Sequence, residues 1–369
     1  MATQLVAVDR DDPDLTVMQA AADLIRSGEL VAFPTETVYG LEANAFDAAA
    51  VDKIFAAKGR PASDPLIAHI FVIAQLAADH PLDPRRAWDL AQAFWPGPLT
   101  LVLPKQANIP SNVSAGLATV AVRMPNHRVA YHLLRLADVP IVAPSANLFS
   151  RPSPTTAQHV LDDLGGRVPL ILDAGPTDIG VESTVLDLTQ PTPTILRPGG
   201  LPIEQLRSVA PQVQYSPKYA AMAGETMATP SPGMLIKHYS PNAEVLLFVG
   251  STERVCKAMR LAAQERIAAG QSVGLLVADE DEVHFADTGA LITTLGSQSA
   301  LPRIAQALFA GMRSLEHRGV DVIITRTFER HGLGLAIADR LIRATEGRVI
   351  EVDDAEDDDG RRTIDEGKR

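Results

Sequence analysis

Hydrophobic positions in the first half of the chain alternate between helical spacing and short continuous runs. Residues 14–28 place Met18 and Ile25 on one helical face, with Asp14 as the expected N-cap. Continuous apolar runs occur in ELVAFP, LIAHIF, LTLVLP, TVAVRMP and PIVAPSAN, and they predict buried strands. Strands that alternate with helices predict a mixed α/β domain over residues 1–209. Its last strands follow one another through short turns, so we expect part of the sheet to be antiparallel.

A change in composition divides the rest of the chain. Residues 210–241 are rich in proline, serine, threonine and methionine and lack periodicity, which predicts a linker. Residues 242–352 return to strands separated by amphipathic helices, which predicts a smaller, Rossmann-like doubly wound domain with a parallel sheet. Residues 353–369 hold eight acidic and four basic side chains, a composition typical of a disordered acidic tail.

Composition and charge narrow the class of protein. The net charge of −12 argues against nucleic-acid binding as the main function of the chain. The single cysteine, Cys256, excludes an intrachain disulfide and a cysteine-based zinc site. The sequence shows no signal peptide and no apolar run of roughly 18 residues. We therefore expect a cytoplasmic protein that makes no membrane contact.

Polar side chains follow the first long apolar run. Thr35, Glu36 and Thr37 come directly after the run ELVAFP at residues 29–34. A strand end that delivers hydroxyls and a carboxylate to one point is how α/β sites are usually built. A strand that simply ends in a turn explains the same pattern, so this motif alone leaves both interpretations open.

Cationic side chains occur at two further element ends. Lys58 and Arg60 lie where a predicted helix ends at Gly59, which favours cations on structural grounds and also suits a triphosphate. Arg123 follows a hydrophobic strand, and when buried it needs either a substrate carboxylate or a structural acid as partner. His69 lies between apolar residues on a strand, where a core position is more usual than a ligand.

Two later segments add hydroxyls and one more arginine. Residues 143–156 form a hydroxyl-rich loop, and residues 182–184 lead into a strand, with Arg197 at the end of the next. Such loops offer donors to phosphate or ribose, but they are also ordinary turn chemistry. Taken together, the strand ends before residue 200 predict one shared pocket. It would be locally positive within an acidic chain, as expected for a nucleotide site.

The motifs that carry these residues resemble the YrdC-like family over residues 15–206, in the order PTETVYGL, KGRP, WPGPLTLVL, VAVRMP, PSAN, ESTVLD and LRPGG. The segment SPGMLIKHYSP and the α/β domain after it resemble the longer, two-domain form of the family. The resemblance implies a twisted mixed sheet enclosing a large positive cavity. It also implies an enzyme that condenses L-threonine, bicarbonate and ATP into threonylcarbamoyl-adenylate and pyrophosphate, with Mg²⁺ carried by ATP. A separate threonylcarbamoyl transferase complex then modifies tRNA beside the anticodon, so tRNA is a partner only indirectly.

The resemblance also implies a role for individual residues. Threonine would be bound by Thr37, His69, Arg123, Ala143 and Ser183, with Arg123 on its carboxylate. ATP would be held by Lys58, Arg60, Asp64, Thr119, Ser145, Asn147, Ser153, Arg197 and Tyr239. Lys58 and Arg60 would be the catalytic pair, and no protein ligand to a metal is expected. Asp64 departs from the family pattern, which has asparagine there, and Ala143 lacks the hydroxyl that is sometimes present.

Two other functions stay open on the sequence alone. A carbamoyl-adenylate-forming enzyme of the hydrogenase-maturation type carries zinc-finger domains, for which this chain has no set of cysteines. A double-stranded RNA-binding protein could use a positive cavity to recognise shape, and the net charge of −12 counts against it. Within the enzyme interpretation, the cluster of Lys237, His238 and Tyr239 predicts that the linker closes over the nucleotide as a lid.

Overall fold

The computed structural model describes residues 2–73, 84–217, 219 and 239–352. Most of the segment predicted as a linker and all of the predicted acidic tail therefore lie outside the described residues. Strands and helices of the described residues fall into two groups, one before residue 216 and one after residue 243.

The first group forms a large mixed sheet with helices packed on it. Its strands are β1 Gln4–Ala7, β2 Val31–Phe33, β3 Gly40–Asn44, β4 Ile67–His69, β5 Leu99–Pro104, β6 Thr119–Arg123, β7 Ile141–Val142, β8 Leu170–Asp173, β9 Thr184–Asp187, β10 Thr194–Arg197 and β11 Gln214–Tyr215. Its helices are α1 Leu15–Arg26, α2 Ala48–Lys58, α3 Pro84–Phe94, α4 Arg128–Ala137, α5 Ala157–Leu164 and α6 Ile203–Val209. The strand order is β1-β8-β2-β3-β7-β4-β6-β5-β9-β10-β11.

Both strand directions occur in this sheet, so the predicted mixed α/β fold is confirmed. Strands β2 and β3, β5 and β6, and β9 and β10 pair antiparallel, whereas β4 pairs parallel with β6 and β5 pairs parallel with β9. Strand β11 pairs with β10 and extends the sheet past residue 209 into the segment predicted as a linker. Because the parallel strands β4 and β6 end side by side and the antiparallel strand β5 begins there, side chains distant in sequence meet at this edge.

Helix α1 forms as its sequence pattern predicts. The Asp14 carboxylate accepts the backbone N–H of Thr16 at 2.7 Å and caps the first turn. The apolar face of α1 packs on α4, which is absent from the sequence prediction. Helix α4 is capped by the Nδ1 atom of His127, a residue outside the usual N-cap set, which hid its start.

The second group is a five-stranded parallel sheet with helices, as predicted for a doubly wound domain. Its elements are β12 Glu244–Val249, α7 Thr252–Ala268, β13 Val273–Val277, β14 Leu291–Thr294, α8 Leu301–His317, β15 Val322–Arg326, α9 Gly334–Ala344 and β16 Val349–Glu351. The strand order is β14-β13-β15-β12-β16, and every pair is parallel. In the described part of the chain, no helix combines the length and the apolar character that a membrane span requires.

The two domains pack closely where helix α8 meets a loop of the first domain. At Gly180, φ is 77°, and an added Cβ would lie 2.4 Å from the Cα of Gln306 on α8. Val181, the next residue, belongs to the same buried apolar cluster as the core of the second domain. Two ion pairs, Arg313 with Asp163 and Arg151 with Glu316, also join the domains. The second domain is therefore part of the structural surroundings of the loops that follow β8.

Candidate active site

One cavity of the first domain is lined by residues from several strands of the sheet. Its volume is ≈ 470 Å³, and its walls come from the start of β3, the end of α2 and strands β4, β6, β9 and β10. Five basic and three acidic side chains line it, so it is locally positive. Thirteen of the fourteen site residues implied by the family resemblance line this one cavity: Thr37, Lys58, Arg60, Asp64, His69, Thr119, Arg123, Ala143, Ser145, Asn147, Ser183, Arg197 and Tyr239.

Two threonines and Arg123 form a hydrogen-bonded group in the cavity wall. The Thr35 hydroxyl donates to the Val38 carbonyl at 2.7 Å and lies 2.8 Å from the Thr37 hydroxyl. The proton between the two hydroxyls therefore comes from Thr37. Arg123 Nη1 donates to the same Thr37 oxygen at 2.9 Å. Thr37 is left with one lone pair, so its side chain offers a ligand an acceptor.

Arg123 has a carboxylate partner within the protein. Its Nη2 atom lies 2.7 Å from Oε2 of Glu36, although the two groups are not aligned as a hydrogen bond. Its Nε atom donates to the Gly97 carbonyl at 3.3 Å. Arg123 and Glu36 are each only 4% exposed. Of the two partners that the sequence left open, a structural acid is therefore present, and the guanidinium keeps further N–H donors for a ligand.

His69 presents a neutral ring to the cavity. Its Nδ1 atom lies 3.2 Å from the Ile67 carbonyl oxygen, and because a carbonyl only accepts, Nδ1 carries the proton. Burial, together with the positive charge of Arg123, lowers the pKa of His69 to about 3. The ring is therefore uncharged at neutral pH, and Nε2 is an acceptor.

Ser183 connects three strands at the cavity wall. Its hydroxyl lies 2.7 Å from the hydroxyl of Thr100 on β5. Its carbonyl accepts from Nη2 of Arg197, the last residue of β10, at 2.9 Å. Ser183 itself immediately precedes β9. The segment that carries Ser183 thus also orients Arg197.

Lys58 is the last residue of α2, and Gly59, with φ of 63°, ends the helix in the left-handed conformation. The Lys58 side chain is buried, and its Nζ atom donates to the backbone carbonyls of Ser145 and Asn147. Burial, with a smaller contribution from Arg60, holds the pKa of Lys58 well below its usual value. Two of its three N–H donors fix the loop after β7, which leaves one for a ligand.

Asp64, which departs from the family pattern, is paired with Arg60. Its Oδ2 atom lies 2.8 Å from Arg60 Nη2, and the two side chains are 16% and 12% exposed. Arg60 Nη2 also donates to the Pro65 carbonyl at 3.0 Å. The carboxylate is therefore held by a cation of its own loop. Within the described residues, no group of three or more histidine, cysteine, aspartate or glutamate side chains could hold a metal ion.

The loop after β7 is fixed by its own side chains. The Ser145 hydroxyl donates to Asn147 Oδ1 at 2.5 Å. The Asn147 amide in turn donates to the carbonyls of Leu148 and Arg151, at 2.6 and 3.0 Å. Asn147 is thus engaged within the loop, while the methyl group of Ala143 is the side chain that lines the cavity just before it. The loop presents backbone and the Ser145 oxygen to a ligand.

Ser153 is the one implied site residue that is not among those lining the cavity. It is fully buried, and its hydroxyl donates to Oε1 of Glu182, which does line the cavity. Burial acts to raise the pKa of Glu182, but the charges of Arg340 and Arg197 outweigh it and the net shift is downward. Ser153 therefore has only an indirect connection to the cavity, through its hydrogen bond to the ionised Glu182.

Tyr239, at the end of the segment predicted as a linker, lines the cavity and packs against the second domain. Its φ is 62°, and its ring centroid lies 5.3 Å from that of Phe309 and 5.5 Å from the Arg340 guanidinium. Both neighbours belong to helices of the second domain. Lys237 and His238, the other two residues of the predicted lid, lie outside the described residues.

Sequence comparisons match each of the two domains to a known family model. A family model described as Telomere recombination matches residues 23–199, and one described as Threonylcarbamoyl-AMP synthase, C-terminal domain, matches residues 201–345. A threonylcarbamoyl-AMP synthase of Pyrococcus abyssi is 45% identical over 339 residues, which cover 91% of this chain and 96% of the relative. The chain belongs to the threonylcarbamoyl-AMP synthase family. The Bacillus subtilis member is also 45% identical, over 91% of this chain and 95% of its own length.

A solved structure of the threonylcarbamoyl-AMP synthase family shares both domains. The crystal structure of Pyrococcus abyssi Sua5 complexed with L-threonine has a TM-score of 0.86 and 43% identity, covering 95% of this chain and 100% of that chain. The resemblance stated from the sequence motifs is thereby confirmed, and so is the predicted enzyme class. The hydrogenase-maturation and RNA-binding alternatives lose their support, because relatives over nearly the whole chain are threonylcarbamoyl-AMP synthases.

Two charged cavity residues of this threonylcarbamoyl-AMP synthase family member, Asp187 and Arg343, were missed by sequence reasoning. Thr35 and Glu182 also line the cavity, and both lie in the polar segments that the sequence analysis singled out, although neither was given a role there. Arg343 lies on α9 of the second domain, and no sequence pattern connects that helix with the cavity.

Proposed function

We propose that this chain condenses L-threonine, bicarbonate and ATP into threonylcarbamoyl-AMP and pyrophosphate. The observation that carries the proposal is that thirteen of the implied residues line one positive cavity. The similarity to Pyrococcus abyssi Sua5, whose crystal structure holds L-threonine, supports the choice of amino acid.

The wall around Thr37 suits an amino acid. Thr37 and His69 Nε2 each offer an acceptor, which complements the amine and hydroxyl of threonine. Arg123 would bind the carboxylate with the N–H donors that its protein partners leave over, while Glu36 holds the guanidinium in place. Ala143 presents a methyl group, which suits the apolar end of the substrate.

The wall around Lys58 suits a triphosphate. Lys58, Arg60 and Arg197 bring three cations to one cavity, and each is anchored by a backbone carbonyl. Phosphate oxygens would stabilise the charged form of Lys58, whose pKa burial otherwise lowers. The third N–H of Lys58 and the fork of Arg60 would then meet the phosphates.

The reaction needs no protein nucleophile. The threonine amine attacks the bicarbonate carbon, water leaves, and an N-carboxy group forms. An oxygen of that group attacks the α-phosphorus of ATP, the bond to the bridging oxygen breaks, and pyrophosphate leaves with the electron pair. Lys58 and Arg60 would stabilise the charge that develops on the phosphates, so catalysis rests on positioning and electrostatics.

Magnesium would arrive with ATP, with the phosphates and water as its main ligands. Asp64 is already paired with Arg60, which fits this division of roles. The adenylate product would pass to a threonylcarbamoyl transferase complex that modifies tRNA, so this chain would meet tRNA only indirectly. We place the reaction in the cytoplasm, where the net charge of −12 and the single cysteine are both ordinary.

Pyrophosphate release tests the proposal directly. The protein is incubated with ATP, labelled bicarbonate and one amino acid at a time. We expect release with threonine to exceed release with serine by roughly tenfold or more, because one buried methyl group is worth about 1–3 kcal/mol. Equal release with serine, or with no amino acid, would contradict the proposal. Salt-sensitive RNA binding without pyrophosphate release would favour the RNA-binding alternative.

Two lysines of helix α2 give a matched pair of variants. Lys58→Met removes a buried cavity cation, and we expect turnover to fall by about a hundredfold or more, as when one preorganised donor is lost. Lys53→Met removes a partly exposed cation that is bonded to Glu29, and we expect turnover to stay unchanged. A similar loss in both variants would show that α2 is merely destabilised.

A further inference from the structure

Arg340 lies in helix α9 of the second domain and contacts the cavity wall from behind. Its side chain is fully buried, and it is not among the residues that line the cavity. Its Nε and Nη2 atoms both lie 2.9 Å from Oε2 of Glu182, and its Nη1 atom donates to the Pro198 carbonyl. Asp339, its neighbour on α9, accepts a further bond from Nη1 at 3.1 Å. One guanidinium thus joins two segments of the first domain to the second.

Three residues assigned to ATP converge on this guanidinium. Ser153 donates to Oε1 of the carboxylate whose other oxygen Arg340 holds. Arg197 immediately precedes Pro198, so a bond to that carbonyl fixes the backbone beside it. The Tyr239 ring lies 5.5 Å from the guanidinium carbon, within cation–π range.

The backbone around these contacts has little freedom to adjust. Gly200 N–H donates to the Glu182 carbonyl at 2.9 Å. At Gly199, an added Cβ would lie 2.3 Å from that same carbonyl oxygen, so residues 198–200 lie directly against residues 182–183. The two segments carry Ser183 and Arg197, which are themselves hydrogen bonded. A shift of the Glu182 carboxylate would therefore be passed to Arg197.

We propose that Arg340 is a positioning residue for the nucleotide, acting through Glu182, Pro198 and Tyr239. The inference rests on the proposed function, because it needs this wall to be the ATP side. It gives the second domain a definite role: its helix α9 sets the arrangement of the wall that binds ATP. The threonine wall around Thr37, Arg123 and His69 has no contact with Arg340 among the bonds of the described residues.

The test compares binding of the two substrates in the full-length chain. Arg340→Gln keeps some hydrogen bonding but loses the charge and the fork, and Arg340→Lys keeps only the charge. We expect the Kd for a non-hydrolysable ATP analogue and the KM for ATP to rise by about tenfold to a hundredfold in Arg340→Gln, and by less in Arg340→Lys. The KM for threonine should rise by a clearly smaller factor, because among the residues assigned to threonine the change reaches Ser183, the neighbour of Glu182. A general loss of folded protein would lower turnover without separating the two substrates.

Glu316→Gln is the matched control, because it weakens another interdomain ion pair, with Arg151, that lies outside the cavity. We expect both KM values to stay unchanged in it. If Arg340→Gln does not fold, Arg340→Gln combined with Glu182→Gln removes the unpaired buried charge and tests the same wall. An unchanged Kd for the ATP analogue, or equal rises in both KM values, would overturn the inference. Absence of threonine-dependent pyrophosphate release by the unsubstituted chain would instead overturn the proposed function.

Discussion

Replacing Asp64 with asparagine measures how one acid in the cavity acts on ATP. The Asp64 carboxylate lies 2.8 Å from Arg60 Nη2, and both side chains are largely buried. A phosphate oxygen bound to the far side of the same guanidinium would lie about 6 Å from the carboxylate. Two like unit charges at about 6 Å repel by about 3 kcal/mol when the effective dielectric constant is about 20. Asp64 should therefore weaken ATP binding.

The orientation of Arg60 should survive the substitution. Its Nη2 atom also donates to the Pro65 carbonyl at 3.0 Å and reaches the Asp64 backbone carbonyl at 3.4 Å. The asparagine oxygen can replace the carboxylate as acceptor. Because Mg²⁺ bound to ATP would neutralise part of the phosphate charge, we expect the free energy of ATP binding to improve by about 1–2 kcal/mol in Asp64→Asn. The KM for ATP would then fall roughly fivefold to thirtyfold.

Steady-state pyrophosphate release against ATP concentration checks this expectation at low and high salt. Asp64→Ala should lower the KM as well, and the gain in both variants should shrink as ionic strength rises. Asp162→Asn removes the same charge from an exposed position outside the cavity, and it should leave the KM unchanged. A rise in the KM for ATP in Asp64→Asn would refute the reasoning, because the carboxylate would then be orienting Arg60 or binding the magnesium.

Three further outcomes follow from buried groups. Burial lowers the pKa of His69 to about 3, so the folded state resists protonation and stability is lost as pH falls below the unfolded value of about 6.5. Between pH 7 and pH 4.5, the free energy of unfolding should therefore fall by roughly 2–3 kcal/mol less in His69→Gln than in the unsubstituted chain, as measured by denaturant titration. Gly180→Ala should lower stability by roughly 2–5 kcal/mol in the same assay, since its Cβ would meet Gln306. Gly175 also has a positive φ, 82°, but an added Cβ there would have no neighbouring atom within 4 Å. Gly175→Ala therefore measures the backbone strain alone, and its loss of stability should be smaller than that of Gly180→Ala. Thr37→Val should raise the KM for threonine by about tenfold while the KM for ATP stays constant.

The sequence could predict that the site residues lie together, because they follow strands whose ends meet in the sheet. Thr37, His69 and Arg123 each lie just after or at the end of a short apolar run. In the sheet, β4 pairs with β6 so that His69 is opposite Arg123. Hydrophobic runs fix where strands end, and the sheet brings those ends together.

The partners of the charged residues could not be predicted in the same way. Arg340 and Glu182 are separated by 158 positions and belong to different domains. Their pairing depends on how α9 packs on the first domain, which no local pattern encodes. Helix α4 was missed for a local reason, since His127 caps it in place of the usual serine, threonine or aspartate.

Counting the cations of the cavity overestimates its free positive charge. Arg60 is paired with Asp64 and Arg123 with Glu36, and behind the wall Arg340 is paired with Glu182. A largely buried guanidinium is costly without an acid nearby, so the protein supplies one at each position. The acid also limits how the guanidinium can turn, which leaves its remaining N–H groups directed at a ligand. Affinity for an anion then depends on where each acid lies relative to the bound charge. By this reasoning Glu36 and Glu182 act as supports, whereas Asp64, next to the expected phosphates, opposes binding.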